Sequence, residues 1–232
     1  MSFTAHEPLA NVSYLAELII WILTLVVWVY PPHLWAVALE SWRQHSAESG
    51  AVYITRFVPY NLFRFLIYLL GSLSGGVLLL RLGAGFDLLP TDNYDTLLLY
   101  LLGGSVGVYL FLYLRSVMFK LWRYVLFEPQ SGALLTQDYF FQDWLRALAL
   151  AGLSLLSFAD LSASLLAWLS LGTLVAIQLL GWVQLIRRMK GTSTGFLYLF
   201  SYLCAHEVVP FLYLVGGGMY LMRSDLLPNL YQ

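Results

Sequence analysis

The sequence predicts an all-α membrane protein, a polytopic bundle of six transmembrane helices with short amphipathic interfacial helices on the cytoplasmic side. The chain has 232 residues, of which 60% are hydrophobic and 11% charged, with a mean hydropathy of +0.74. A soluble domain carries roughly a quarter charged residues, so the surplus of apolar side chains needs lipid to face. Apolar stretches of about 20 residues, the length that crosses a bilayer core, recur along the chain.

We place the six predicted spans at residues 12–30, 62–80, 96–118, 139–158, 164–186 and 196–222. No Lys or Arg precedes the first stretch, so we expect it to be retained as a span and not removed as a secretory signal. The fourth and fifth stretches are separated only by the turn-forming residues Ser157, Asp160, Ser162 and Ser164. The connections are short, and the whole chain, 1–232, is predicted to form a single membrane domain.

The distribution of basic residues predicts the orientation, because cytoplasmic connections are enriched in Lys and Arg. Ten of the twelve Lys and Arg residues fall in or beside alternate connections, whereas Arg81 and Arg223 fall on the other side. Both termini should therefore lie outside the cytoplasm. Arg64 and Arg115 sit near the inner ends of their spans, and we expect their side chains to extend toward the lipid headgroups.

Two stretches on the predicted inner side are amphipathic. The first follows the pair Pro31 and Pro32 and places Trp35 and Trp42 on one helical face, opposite charged side chains. The second, residues 118–127, does the same with Trp122. Such stretches are typical of helices that lie at the membrane interface. A continuation of the third span, buried against protein, is an equally good interpretation of the second stretch.

The last predicted span carries an acid near the middle of the membrane. Glu207 lies roughly 16 Å along the helix from residue 196, and an ionisable residue at such a depth is a functional hypothesis by default. Cys204 shares a face with Glu207, whereas His206 points elsewhere, and Pro210 removes the helical partner of the His206 carbonyl. Glu207 either holds helices in register by bonding a neighbour such as Gln178, or it binds a proton or cation. No metal site is predicted, because these side chains diverge around one helix.

Small residues at helical spacing predict where helices pack closely. Gly71 and Gly75 form one pair, Gly103 and Gly107 form a second, and Gly216 belongs to a cluster in the last span. Glycines four residues apart let helix backbones approach one another. We therefore expect the second, third and sixth spans to form the core of the bundle.

A serine motif overlaps the second glycine pair. Residues 103–107 read Gly-Gly-Ser-Val-Gly and match the G-x-S-x-G pattern of serine hydrolases, which requires a strand, a turn and a helix. Here the motif lies inside an apolar helix, so the context fails. An intramembrane hydrolase that pairs Ser105 with His206 is the weakest of the functional hypotheses.

Residues 202–210 read Tyr-Leu-Cys-Ala-His-Glu-Val-Val-Pro. This stretch resembles the Tyr-Leu-Cys-x-x-Glu-x-x-Pro signature of a Bacteroidota family of polytopic inner-membrane proteins, a domain of unknown function. His206 departs from the apolar residue usual at its position. The resemblance implies a bacterial inner membrane and makes Cys204, Glu207 and Pro210 part of a family pattern, without implying an activity.

The composition also narrows the function. A net charge of −1 argues against a basic face that follows nucleic-acid phosphates, and one cysteine excludes an intramolecular disulfide. No cofactor is predicted, and the expected partners are the lipid bilayer and other membrane-protein subunits. The first hypothesis is a non-enzymatic membrane subunit, assembly factor or scaffold of an envelope complex. The alternative is a small proton- or cation-coupled carrier centred on Glu207.

Overall fold

The computed structural model describes residues 7–29, 59–90, 93–126, 129–159 and 161–189. These ranges contain five α-helices, which confirms the all-α class: α1 (Glu7–Val29), α2 (Tyr60–Gly85), α3 (Tyr94–Leu126), α4 (Pro129–Leu156) and α5 (Ala163–Met189). They overlap the first five predicted spans. The sixth predicted span lies outside the described residues, and so do Trp35, Trp42, Cys204, His206, Glu207, Pro210 and Gly216.

Four of the described helices are long and apolar enough to cross a membrane: Pro8–Trp28, Tyr60–Gly85, Tyr94–Leu121 and Ala163–Val183. Helix α4 does not qualify, although residues 139–158 were predicted as the fourth span. Its middle carries Gln142, Asp143 and Arg146, which lower its hydropathy. The described part of the chain thus supports a membrane protein with four candidate spans, and not the predicted count of six.

Helix α3 continues without a break through the second amphipathic stretch. It runs for 33 residues to Leu126, so that Trp122 belongs to the same helix as the third span. No Gly or Pro occurs between residues 108 and 128 to end the helix earlier. The prediction of a separate interfacial helix here is not supported, and the alternative of a helical extension describes the structure better.

Helix α2 is the central element of the bundle. It contacts α3 and α4 most extensively and α1 to a lesser degree. Phe63, Ile67, Leu70 and Val77 recur at helical spacing and are each at most 1% exposed. The middle of α2 is made of small residues, which lets neighbouring helices approach its backbone.

The outer faces of α1, α3 and α5 carry large apolar side chains. Leu15 is 64% exposed, Leu99 69% and Trp168 71%. Exposed apolar surface of this extent is unusual for a soluble monomer and fits contact with lipid. The bundle thus has an apolar outer surface, and its apolar core encloses the polar groups described next.

Candidate functional site

A network of polar side chains joins four helices inside the bundle. We call it the Asp143 network, and it consists of Arg64, Tyr68, Arg115, Asp143, Arg146 and Gln178. They lie in the first half of α2, in the second half of α3 and just past the middle of α4 and of α5. Because antiparallel neighbours bring these helix portions to the same level, residues far apart in sequence meet here.

Tyr68 connects α2 to α4. Its hydroxyl donates a hydrogen bond of 3.0 Å to Asp143 Oδ2 and accepts bonds of 3.1 and 3.0 Å from Nε and Nη2 of Arg64, one helical turn earlier. The Tyr68 side chain is 3% exposed. A phenol is both a donor and an acceptor, so this single buried hydroxyl satisfies a cation and a carboxylate together.

Arg146 connects Asp143 to α5. Its Nη1 donates to Asp143 Oδ1 over 2.9 Å, and its Nη2 donates to Gln178 Oε1 over 2.8 Å and to Gln142 Oε1 over 3.3 Å. The side chains of Arg146 and Asp143 are 8% and 5% exposed. Ion pairs this deeply buried lose most of their hydration, and such pairs depend on the additional hydrogen bonds found here.

Arg115 brings α3 to the same carboxylate. Its Nη1 lies 3.8 Å from Asp143 Oδ1, and its guanidinium lies 4.9 Å from the centre of the Tyr139 ring. Tyr139 in turn stacks on Phe119 with ring centres 4.1 Å apart. The guanidinium is thus held between a carboxylate and an aromatic face, both of which attract a cation.

A second group, the Glu17 cluster, joins the middle of α1 to the last turns of α2 and α4 and consists of Glu17, Arg81, Ser154 and Ser157. The Ser154 hydroxyl donates to the Ala151 carbonyl over 2.9 Å and lies 3.3 Å from Glu17 Oε1. Arg81 donates from Nε and Nη2 to the Ser157 carbonyl over 3.1 and 2.8 Å. The Arg81 guanidinium also lies 4.3 Å from the ring centre of Phe158. Arg81 therefore satisfies a carbonyl at the end of α4, where helix carbonyls lack partners.

The structure brings some of the predicted site residues into these groups. Gln178 belongs to the Asp143 network, where its amide oxygen accepts the bond from Arg146. Arg64 and Arg115 differ from expectation, because they bond inward within the bundle and do not extend toward headgroups. Of the predicted intramembrane site, only Gln178 lies in the described part of the chain.

Sequence reasoning missed the acids of the bundle. The sequence predicts Glu207 as the acid near mid-membrane, yet Glu17 lies inside the candidate span Pro8–Trp28 and is 5% exposed. Asp143 and Arg146 carried a usable signal, because an acid and a base three residues apart on a helix share one face. That pair, within an otherwise apolar stretch, is a pattern that indicates a buried ion pair.

Of the two glycine pairs that the spacing singles out, the one on α2 faces α3, whereas the one on α3 does not face α2. A Cβ on Gly71 would lie 3.4 Å from Leu112 Cδ1, and one on Gly75 would lie 3.1 Å from Val108, so both face neighbours. A Cβ on Gly103 or Gly107 would meet nothing within 4 Å. Instead, the position of a Cβ on Gly104 lies 3.7 Å from Gly76 Cα, and a Cβ on Gly76 would overlap Ser105 Oγ.

Ser105 is therefore a packing residue at this contact. It is 7% exposed, and its hydroxyl bonds no other group in the described residues. The α2 backbone at Gly76 occupies the space in front of this hydroxyl. In the ranges that the structure describes, no three His, Cys, Asp or Glu side chains come together as a metal site.

An all-helical bundle with four candidate spans, an apolar outer surface and an interior ion network defines an integral membrane protein. The chain belongs to the family described as the domain of unknown function DUF4271, whose family model matches residues 18–217. The match includes the whole Asp143 network, and it includes Arg81, Ser154 and Ser157 of the Glu17 cluster but begins one residue after Glu17. No curated protein and no solved structure matches the chain.

Proposed function

We propose that the protein is a non-enzymatic integral membrane subunit, scaffold or assembly factor of an envelope complex. The observation that carries the proposal is that the charged side chains of the Asp143 network bond one another across helices. Tyr68 and Asp143 join α2 to α4, and Arg146 and Gln178 join α4 to α5. Both oxygens of Asp143 hold a donor. Charges arranged in this way fix helices relative to one another, and so give the bundle a defined outer shape.

The outer shape is suited to contact with other membrane proteins as well as with lipid. Tyr124 is 90% exposed at the end of α3, and Leu99 and Trp168 project from α3 and α5. Exposed aromatic side chains are frequent anchors of protein interfaces. A rigid bundle with such faces can hold a partner helix in one orientation.

We place the protein in the inner membrane of a bacterium of the Bacteroidota, with six spans and both termini in the periplasm. The Tyr-Leu-Cys-x-x-Glu-x-x-Pro stretch at 202–210 supports the source, and the excess of Lys and Arg in alternate connections supports the orientation. The amphipathic stretch with Trp35 and Trp42 would then lie at the cytoplasmic interface.

The test is the isolation of the tagged protein at its native level from its host, in lipid nanodiscs, with quantification of co-purifying proteins. We expect one or a few membrane proteins in fixed ratio to the chain. The matched variants Leu99→Ala and Trp168→Ala alter the outer faces and leave the Asp143 network intact. At least one should reduce partner recovery about tenfold without lowering thermal stability. Recovery of the wild-type chain alone, at every protein level, would contradict the proposal.

A second candidate, a proton- or cation-coupled carrier, is favoured by the number of charged groups in the same Asp143 network. A carrier needs several polar groups inside the membrane, and Arg64, Arg115, Asp143 and Arg146 converge on one site together with Gln178. Glu207, with the His206 carbonyl freed by Pro210, would supply the group that takes up the ion. Proteoliposomes with a trapped pH dye test this candidate: wild type should carry protons above the rate of empty vesicles, and Glu207→Gln should not.

The intramembrane serine hydrolase has the least support. Ser105 lies against Gly76, and no base bonds its hydroxyl in the part of the chain described. A nucleophile needs both a base within hydrogen-bond reach and room for a carbonyl.

A further inference from the structure

The buried part of the Asp143 network contains more positive than negative charge. Among the described side chains it holds two guanidinium groups, those of Arg115 and Arg146, and one carboxylate, that of Asp143. Arginine stays protonated inside proteins, and one carboxylate cancels only one of the two charges. These three groups therefore carry a net positive charge, and Arg64, which bonds Tyr68, adds to it.

This charge is shielded from water. The side chains of Arg115 and Arg146 are each 8% exposed, and that of Asp143 is 5% exposed. Both oxygens of Asp143 already accept a hydrogen bond, whereas Arg115 Nη1 stays 3.8 Å from Oδ1, which is longer than a hydrogen bond. A buried ion without a full counter-charge is strongly destabilising. A second negative group is therefore expected beside the two guanidinium groups.

The described part of the bundle indicates where this group can enter. Of the other acids whose side chains are described, Glu17 belongs to the Glu17 cluster, and Asp87 and Asp95 lie beside the connection between α2 and α3. Arg115 of α3 and Gln178 of α5 both reach the pair on α4, yet α3 and α5 make few contacts with each other. A further helix along α4, between α3 and α5, would lie beside both guanidinium groups.

The remainder of the chain can provide such a helix. After α5 ends at Met189, residues 190–195 read Lys-Gly-Thr-Ser-Thr-Gly, a stretch rich in turn-forming residues, and the last predicted span, 196–222, follows. Helices joined by so short a connection are usually antiparallel neighbours. Glu207 is the only Asp or Glu in this span. The segment thus brings one negative charge to the side of α5.

The position of Glu207 along its span matches the level of the network. Gln178 lies eleven residues before the end of α5, about 16 Å along the helix. Glu207 lies eleven residues after residue 196, again about 16 Å along. In antiparallel neighbours the two residues are therefore at the same level. Gln178 accepts a hydrogen bond of 2.8 Å from Arg146, so this level is also that of the guanidinium groups.

We propose that the last predicted span, 196–222, packs along α4 between α3 and α5 and supplies Glu207 as the second carboxylate of the Asp143 network. Two guanidinium groups, those of Arg115 and Arg146, then face two carboxylates. In this arrangement Glu207 is an ionised partner of arginine and not a neutral hydrogen-bonding group. The inference concerns how the bundle is completed and does not depend on the proposed subunit role.

The first experiment measures charge balance by thermal unfolding of the full chain in phosphatidylcholine nanodiscs. Glu207→Gln and Arg115→Gln should each lower the unfolding midpoint by about 10 °C, because each leaves one buried charge unbalanced. The double variant keeps Arg146 and Asp143, one charge of each sign, and should unfold within about 5 °C of wild type. Asp138→Asn, which removes an acid of α4, is the matched control, and its effect should add to that of Arg115→Gln without coupling.

The second experiment measures proximity and does not depend on stability. Cys204, the only cysteine, lies three residues before Glu207 on the same face, and Trp182 lies four residues after Gln178 on the same face of α5. Trp182→Cys should therefore form a disulfide with Cys204 under mild oxidation, detected by mass spectrometry of the joined peptides. Trp168→Cys is the matched control, because Trp168 lies about 21 Å further along α5, and it should form none.

Three results would overturn the proposal. Strictly additive effects of Glu207→Gln and Arg115→Gln would show that the two charges do not meet. Coupling of Arg115→Gln to Asp138→Asn in place of Glu207→Gln would assign the second carboxylate to α4. A silent Glu207→Gln, with a wild type that phosphatidylglycerol stabilises, would assign the negative charge to a bound lipid phosphate. If the charge variants do not fold, the disulfide decides, and its absence in folded Trp182→Cys protein rejects the placement of the span.

Discussion

At the scale of single residues, the Tyr68 hydroxyl bonds two charged side chains at once. It accepts from Arg64 and donates to Asp143, and the neighbouring Tyr109 ring contacts its ring edge-on at 6.3 Å. Removing this oxygen would therefore take from Asp143 Oδ2 its donor and from Arg64 the acceptor of two hydrogen bonds. Because the groups that lose this bond are charged and buried, its removal costs more free energy than the loss of an ordinary hydrogen bond.

We expect Tyr68→Phe to lower the free energy of unfolding by about 1–3 kcal/mol. Tyr113→Phe on α3 is the matched control, because Tyr113 is 50% exposed, and its effect should stay within about 0.5 kcal/mol. Denaturant or thermal unfolding in detergent measures both. Equal effects of the two substitutions would show that the Tyr68 hydroxyl contributes nothing specific.

The Asp143 and Arg146 pair gives a test of coupling. Asp143→Asn removes the negative charge that faces the Arg146 and Arg115 guanidinium groups, and we expect a loss of about 3–5 kcal/mol. In the double variant Asp143→Asn with Arg146→Gln, one of the uncompensated cations is also removed. The double variant should therefore be more stable than the sum of the single effects predicts, and strictly additive effects would argue against the network as a clamp.

Glu207 remains the sharpest test between the two functional candidates. If Glu207 is a structural hydrogen-bonding group, Glu207→Gln keeps fold and function, and Glu207→Leu costs about 1–3 kcal/mol by leaving its partner unpaired. If it carries a proton or cation, Glu207→Gln folds normally and abolishes function, because an amide does not titrate. Protein yield, thermal stability and complementation of a deletion strain distinguish the outcomes. A stable but inactive Glu207→Gln would reject the subunit role.

The charged residues also show how much of the polar site can be predicted from the sequence. Gln178 was singled out as a polar group inside a span, and it does belong to a polar network. Its described partner, Arg146, was instead counted among the residues beside a connection. Hydropathy and position along one helix measure depth, but they do not reveal which side chains on other helices lie at the same level.

At the scale of helices, the approach of α2 to α3 depends on single glycines. A Cβ on Gly76 would overlap Ser105 Oγ and lie 3.0 Å from the Ser105 backbone nitrogen, whereas one on Gly103 would meet nothing within 4 Å of the described residues. Backbone atoms yield less readily than a flexible side chain. The two helices would have to separate to accommodate even a methyl group at Gly76.

We expect Gly76→Ala to destabilise the bundle by about 1–3 kcal/mol through overpacking. Gly103→Ala should be neutral or stabilise by up to about 1 kcal/mol, because alanine favours the helix. Midpoints of thermal unfolding, together with the yield of monodisperse protein, measure the difference. The reverse order of the two substitutions would place the helix contact where the sequence spacing put it.

The glycine positions explain why helices were easier to predict than their contacts. Long apolar stretches identified α1, α2, α3 and α5, because length and hydropathy are properties of a single segment. The four-residue spacing of Gly103 and Gly107 places them on one face of α3, but it does not say which face meets α2. Gly104 and Ser105, one and two positions after Gly103, are the residues that meet α2.

At the scale of the whole molecule, the Asp143 network reduces the number of basic residues that support the predicted orientation. Arg64, Arg115 and Arg146 bond within the bundle, so they do not count as basic residues of the cytoplasmic connections. The remaining basic residues of the inner side still favour it over the outer side, where Arg223 lies. The predicted orientation depends most on α4, because the chain must cross the membrane again through α4 between α3 and α5.

Reporter fusions test this orientation. Fusions after Asp95 and at the C-terminus should behave as periplasmic, and fusions near Gln130 and Lys190 as cytoplasmic. A periplasmic signal near Gln130 would mean that α3 does not cross the membrane as proposed, and a cytoplasmic C-terminus would reject the assignment of the termini.

The charged interior of α4 also has a consequence for how the protein is made. An Asp and an Arg inside one segment each oppose its transfer from the translocon into lipid by about 2.5–3.5 kcal/mol at the segment centre. Arg64, Tyr68 and Arg115 precede α4 in the chain and are synthesised before it, whereas Gln178 follows. When α4 emerges from the ribosome, three of its partners are already in place to receive it. The order of helices along the chain is thus also an order of assembly, in which the least apolar helix enters a membrane that earlier helices have made polar enough to accept it.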